Sequence, residues 1–192
     1  AAYRKLIFEK YNGNLGPNDL WIEYLYVDSS VSDLKMDGNQ WNVMGKSVKL
    51  EDSQVLAIPA ADLASYVNNR SRYNYLSPWL GNSENWKNII NDPKIANGAA
   101  GQKRRLGRLL FANKADNFNT KVDAKVRALK LNPDGSSITF HVVCGLAGGT
   151  GSGSVVDVVA QLRKEYPNPL THTIILYLLL PEEKPDRSWA ST

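Results

Sequence analysis

A run of small and hydroxyl-bearing residues in the last third of the chain has the composition of a phosphate-binding loop. The run consists of Ala147, Gly148, Gly149, Thr150, Gly151, Ser152 and Gly153. Glycines let the backbone adopt positive φ and approach a ligand closely, because no Cβ intervenes. A helix that follows such a loop adds unpaired N–H groups and the positive end of its dipole, which suit a phosphate. A tight turn that needs glycine only for packing is the alternative, and the two hydroxyl groups favour the anion site.

The spacing of this run excludes three other well-known loops. A Walker motif needs Lys and then Ser or Thr after its last glycine, whereas Gly153 is followed by Ser154 and Val155. The glycines alternate, so the GxGxxG spacing of dinucleotide-binding loops is not met, and neither serine lies in a Gly-x-Ser-x-Gly frame. The run closely resembles the tubulin/FtsZ signature GGGTGSG, with Ala147 in place of the first glycine.

The segments around the loop predict an α/β fold. Residues 138–144 and 172–180 are apolar and predict buried strands, and a helix is expected to begin between Ser152 and Ser154, with Ser154 a candidate N-cap, and to end at Tyr166. Upstream, residues 103–113 and 118–129 have helical periodicity, and residues 21–27 and 55–58 predict strands. This order predicts a mostly parallel sheet with helices on both faces, which binds ligands at the carboxyl ends of its strands.

Other segments resemble the tubulin/FtsZ family in the same order along the chain. Residues 27–30 (VDSS) resemble the loop in which tubulins hold an acidic residue near the nucleotide's magnesium, and residues 97–101 resemble the loop that approaches the γ-phosphate. Residues 181–186 occupy the position of the loop that contacts the ribose. The resemblance therefore implies further nucleotide contacts from Asp28, Ser29, Gly98, Ala99, Ala100, Gly101, Glu182 and Asp186. The closer similarity is to the divergent bacterial tubulin-like proteins.

The resemblance implies a cytoplasmic, cytoskeletal protein that binds GTP or GDP with Mg²⁺. Its partner would be itself, because family members assemble head to tail into filaments and complete GTP hydrolysis across the subunit interface. They also have a strand and a glycine loop before the first helix, and a catalytic acid later in the chain. We therefore expect residues 1–192 to form a single partial GTPase domain, without the first strand and the C-terminal half, and with little activity alone. A non-polymerising regulatory module that binds a nucleotide or another anion is the alternative.

Two sets of charged residues have a functional and an ordinary interpretation. Asp28 could hold Mg²⁺ through water, since that ion favours one or two carboxylates together with phosphate oxygens, or it could cap the next turn. Lys103, Arg104 and Arg105 could offset the charge of a γ-phosphate, or they could form a solvated helix start.

Composition limits the remaining possibilities. The net charge of +4 is local, because residues 98–115 hold five basic and no acidic residues, and a nucleic-acid partner is not expected from one basic segment without interleaved aromatics. The single cysteine, Cys144, fits a reducing cytoplasm and is expected to be a small core residue. His141 and His172 lie apart in apolar runs, and neither a metal cluster nor a membrane partner is expected.

Overall fold

A computed structural model describes residues 2–11, 21–34, 41–59, 78, 100–131, 137–181 and 183. The helices of these ranges are α1 (Ala2–Lys10), α2 (Val31–Leu34), α3 (Arg104–Asn113), α4 (Ala115–Leu129) and α5 (Gly149–Glu165), and a 3-10 turn spans Asp52–Gln54. The strands are β1 (Tyr26–Asp28), β2 (Asn42–Val43), β3 (Lys46–Ser47), β4 (Val55–Ala57), β5 (Ile138–Gly145) and β6 (His172–Leu179).

Parallel pairing dominates the strands. β1 pairs with β4 in parallel, from Tyr26 opposite Val55 to Asp28 opposite Ala57, and the Ile58 N–H extends the ladder to the Asp28 carbonyl at 2.8 Å. β5 and β6 pair in parallel over their whole lengths, while β2 and β3 form a short antiparallel hairpin. Helix α5 joins β5 to β6, as a parallel pair requires. The predicted α/β class is confirmed.

The main core is formed by α3, α4 and α5 against the parallel strands. Leu106, Leu109 and Leu110 of α3 are fully buried, and Phe118 of α4 packs edge-on against Phe111 with ring centroids 5.2 Å apart. The helical spacing of the apolar residues in both segments produced this burial. Helix α1 contributes Phe8 to a second cluster, with Trp41, Val43 and Val48. Across the described ranges, no helix is long and apolar enough to cross a membrane.

Three predicted strands differ from the observed ones. Strand β1 begins only at Tyr26, although residues 21–27 all have strand-like composition. Strand β6 was predicted to be buried, but Tyr177 and Leu179 are 43% and 60% exposed. Ile174 packs against the core, but from Ile175 to Leu179 the side chains on both faces of the strand are at least 38% exposed. Val143 of β5 is 62% exposed as well, so the prediction that β5 and β6 are buried strands was wrong.

Candidate phosphate-binding site

The glycine run begins at the carboxyl end of β5, where the chain turns directly into α5. Helix α5 starts at Gly149, and its N-cap is Gly148 with extended backbone angles of φ −78° and ψ 162°. The helix thus begins three to five residues earlier than the sequence indicated, and the positive φ expected in the loop is not found there. Ser154 is not the N-cap, because it lies inside the helix and its hydroxyl donates to the Thr150 carbonyl at 2.7 Å.

The first turn of α5 presents unpaired hydrogen-bond donors. Within the described ranges, the N–H groups of Gly149, Thr150 and Gly151 have no acceptor, as expected of the first residues of a helix. The Ser152 hydroxyl donates back to the Gly148 carbonyl, so its one hydrogen is already used. The Thr150 hydroxyl is the other hydroxyl group of this turn. These groups and the positive end of the helix dipole favour an anion at this position.

Three glycines allow α3 and α5 to touch backbone to backbone. A Cβ on Gly149 would overlap the Gly101 carbonyl, and one on Gly153 would overlap the Arg104 carbonyl. A Cβ on Gly107, in the middle of α3, would overlap the Gly149 carbonyl. The packing explanation of the run is therefore correct for Gly149 and Gly153. It does not apply to Gly148, where an added Cβ meets nothing within 4 Å.

The Ser29 hydroxyl connects three of the segments that the sequence singled out. It accepts the N–H of Ala100 at 2.8 Å and lies 2.7 Å from the hydroxyl oxygen of Thr150. Ser29 is only 1% exposed, so these contacts are shielded from water. The turn after β1, the segment before α3 and the first turn of α5 consequently meet at one point. Gly101 also contacts this point, because its carbonyl lies against Gly149.

Asp28 lies at the carboxyl end of β1, next to Ser29. One of its carboxylate oxygens, Oδ1, accepts the N–H of Ser30 at 3.0 Å, so the capping role is observed. Its other oxygen has no hydrogen bond within the described ranges, and a single carboxylate is a donor set that suits Mg²⁺ bound mainly by phosphate and water. The residues present thus fit the ion. Among the described residues, no group of three or more His, Cys, Asp or Glu could hold a metal by itself.

The basic residues before and within α3 have different surroundings. Arg104 donates from Nη2 to the Leu146 carbonyl at 3.2 Å and so lies beside the glycine loop. Arg108 forms a two-point ion pair with Asp157 of α5, at 2.7 and 2.9 Å, which fastens the two helices together. Lys103 and Arg105 are exposed. Of the three predicted phosphate partners, Arg104 has a side chain that contacts the chain beside the loop.

Cys144 lies at the end of β5, behind the first turn of α5. A Cβ on Gly151 would come 3.1 Å from the Cys144 Cβ, so the cysteine packs under the loop. Burial raises the pKa of the Cys144 thiol above its ordinary value. The thiol is therefore less ionised and less reactive than a free cysteine, in agreement with a packing role.

Several predicted contacts fall outside the described residues. They are Gly98, Ala99, Glu182 and Asp186. The structure brings together Asp28, Ser29, Ala100, Gly101 and the residues of the glycine run.

A comparison with protein families identifies the family of the chain. A family model described as "Tubulin like" matches residues 2–191, which is nearly the whole chain. The chain belongs to the tubulin-like family. No curated protein and no solved structure gives a significant match to it. In the tubulin-like chain, the glycine run lies at the end of a parallel strand, where α/β proteins bind ligands.

Two features of the tubulin-like chain escaped the sequence analysis. Gly107 is one, and its position inside an apolar helix was a usable signal, because a mid-helix glycine costs about 1 kcal/mol relative to alanine and needs a reason. The connection of Ser29 to Thr150 is the other, and it joins residues 121 positions apart. No local pattern carries that information.

Proposed function

We propose that the tubulin-like chain binds GTP or GDP through its phosphates at the first turn of α5, with Mg²⁺ beside Asp28. The observation that carries this proposal is the set of unpaired N–H groups at Gly149, Thr150 and Gly151, at the carboxyl end of a parallel strand. Family membership supports the choice of a guanine nucleotide over another anion.

The chain's own residues would bind and orient the phosphates rather than react with them. The backbone N–H groups and the Thr150 hydroxyl donate to phosphate oxygens, and Arg104 adds a positive charge next to the loop. The run contains no lysine, so the helix dipole and the magnesium ion must offset more of the phosphate charge. The Asp28 carboxylate would hold a magnesium-bound water. The ion, when bound, neutralises charge on neighbouring phosphate oxygens.

We further propose that the full-length protein is a cytoplasmic GTPase that assembles head to tail into filaments. Its partner is then a second copy of itself, and each interface completes the hydrolytic site of the subunit behind it. Head-to-tail contacts between identical subunits give open filaments when the rotation between them does not close a ring. The single cysteine, Cys144, supports a reducing compartment.

Sedimentation of the full-length protein with GTP, GDP or ATP, alongside nucleotide affinity measurements, tests both parts. We expect GTP and GDP to bind, ATP to bind more weakly, and only GTP to move the protein into the pellet. Binding of GTP without pelleting would contradict filament assembly and favour a regulatory module. Absence of binding to any of the three nucleotides would overturn the proposal.

A further inference from the structure

Ser29 holds its hydroxyl in a buried position between two partners from distant parts of the chain. The Ala100 N–H can only donate, so the Ser29 oxygen must accept at that 2.8 Å contact. The contact with Thr150, at 2.7 Å, can run in either direction. Because the residue is 1% exposed, a ligand reaches it only through its neighbours.

Counting hydrogens decides the direction of the second contact. If Thr150 donated to Ser29, the Ser29 hydrogen would have no further acceptor among the described residues, and a buried unsatisfied donor is costly. If Ser29 donates to Thr150, the Ser29 oxygen accepts one hydrogen bond and its hydrogen makes another. The Thr150 hydrogen is then available to another acceptor. The bonds then run in one direction, from the Ala100 N–H to Ser29, from Ser29 to Thr150, and outward. Hydrogen bonds in such a chain polarise and strengthen one another.

We propose that Ser29 is a positioning residue that turns the Thr150 hydroxyl outward as a donor to a bound phosphate oxygen. In addition, it holds the turn at Ala100 and Gly101 against the glycine run. This inference rests on the proposed nucleotide site. It adds a role for Ser29 that needs no contact between Ser29 and the ligand. The phosphate oxygen completes the chain of bonds, so that ligand affinity depends on a residue the ligand does not touch.

A double-mutant cycle on the full-length protein tests the connection, with a non-hydrolysable GTP analogue as the probe. Ser29→Ala and Thr150→Val should each weaken binding about tenfold, because Thr150→Val removes one charge-assisted hydrogen bond to phosphate and Ser29→Ala leaves the Thr150 hydroxyl unaligned for that bond. The double variant should be no weaker than either single variant, because both changes remove the same bond. Thr150→Ser keeps the hydroxyl and should retain affinity.

Ser32→Ala is the matched control. Ser32 belongs to the same turn region but is exposed, and its hydroxyl contacts that of Ser30 at 3.0 Å. Its removal should leave affinity unchanged. All affinities are compared well below each variant's melting temperature, so that lower stability alone does not register as weaker binding.

Several results would overturn the inference. Wild-type affinity in Ser29→Ala, with or without a lower melting temperature, would reduce Ser29 to a structural residue. Additive losses in the double variant would mean that the two hydroxyls act independently. If Ser29→Ala does not fold, Ser29→Cys serves instead, since a thiol is a weak donor, and unchanged affinity there has the same meaning. Failure of the wild-type protein to bind the analogue would overturn the proposed function itself, a separate outcome.

Discussion

Gly107 of α3 lies directly against the Gly149 carbonyl at the start of α5, and a Cβ at position 107 would also come within 2.9 Å of the Thr150 Cα. The two helices therefore meet at the candidate phosphate-binding groups. Contact between backbones leaves no flexible side chain to move aside, so the position of α3 fixes the first turn of α5. Gly107, which allows the two helices to pack closely, thus supports the geometry of the candidate site.

We expect Gly107→Ala to destabilise the protein. Alanine favours a helix over glycine by about 1 kcal/mol, but overlap with a neighbouring backbone costs more, so we expect a net loss of about 2 kcal/mol in the free energy of unfolding. Urea unfolding measures it. Gly145→Ala is the matched control, because a Cβ there meets nothing within 4 Å. A Gly107→Ala variant as stable as wild type would show that α3 and α5 do not pack this closely.

Arg104 and Arg105 form a natural pair of test and control residues. They have the same side chain and adjacent positions in α3, but the Arg104 guanidinium contacts the Leu146 carbonyl beside the glycine run. Arg104→Ala should weaken GTP binding about two- to fivefold at low salt and less at high salt, because the residue is exposed and its charge is screened. Arg105→Ala should have little effect. Equal losses in both variants would indicate a general charge effect.

The triple replacement of Lys103, Arg104 and Arg105 by alanine extends this comparison to GDP. A larger loss for GTP than for GDP would support a role at the γ-phosphate, which the sequence predicts. Equal small losses would favour a solvated helix start.

The stability of the β5–β6 region should depend on pH through His172. Its ring lies against Tyr166, with ring centroids 5.0 Å apart. Burial lowers the pKa of His172 from the ordinary value of 6.5, and the charges of Lys130 and Arg163 lower it further. The unfolded chain therefore binds this proton more readily. This part of the stability is complete above pH 6.5 and is lost as the pH falls through the folded-state pKa.

Urea unfolding at about pH 7.5 and about pH 5.5 measures this effect. His172→Gln should reduce the loss of stability between the two conditions, because glutamine does not take up a proton. An unchanged loss in this variant would assign the pH dependence to other groups.

The parts of the fold set by local patterns were predictable from the sequence. The leucine spacing of 103–113 gave α3, and the apolar runs of β5 and β6 gave the parallel pair. The start of α5 was placed too late because glycine has low intrinsic helix propensity. The contact with α3 overrides this local preference at Gly149 and Gly153. Exposure of both faces along the second half of β6 was also missed, since composition alone does not tell whether a second layer covers a strand.

The sequence named several segments that the structure brings together, but it did not assign the roles of their residues. Gly148 and Thr150 remain candidates for phosphate contact, whereas Gly149 and Gly153 have a packing role as well. Asp28 caps a turn, the more ordinary of its two interpretations, and its second oxygen still suits a magnesium-bound water. These roles depend on contacts between distant residues, which the spacing of one segment does not contain.

The most direct test of the phosphate site is to observe its backbone N–H groups while GTP is added. The full-length protein, labelled with ¹⁵N at glycine, gives separate amide signals for Gly148, Gly149 and Gly151, and Gly45 in the turn between β2 and β3 serves as an internal control. We predict that the signals of Gly149 and Gly151 shift strongly and saturate with one common dissociation constant, while that of Gly45 stays in place. If GTP binds and the signals of Gly149 and Gly151 move no more than that of Gly45, the phosphates do not lie at the first turn of α5 and the central claim is wrong.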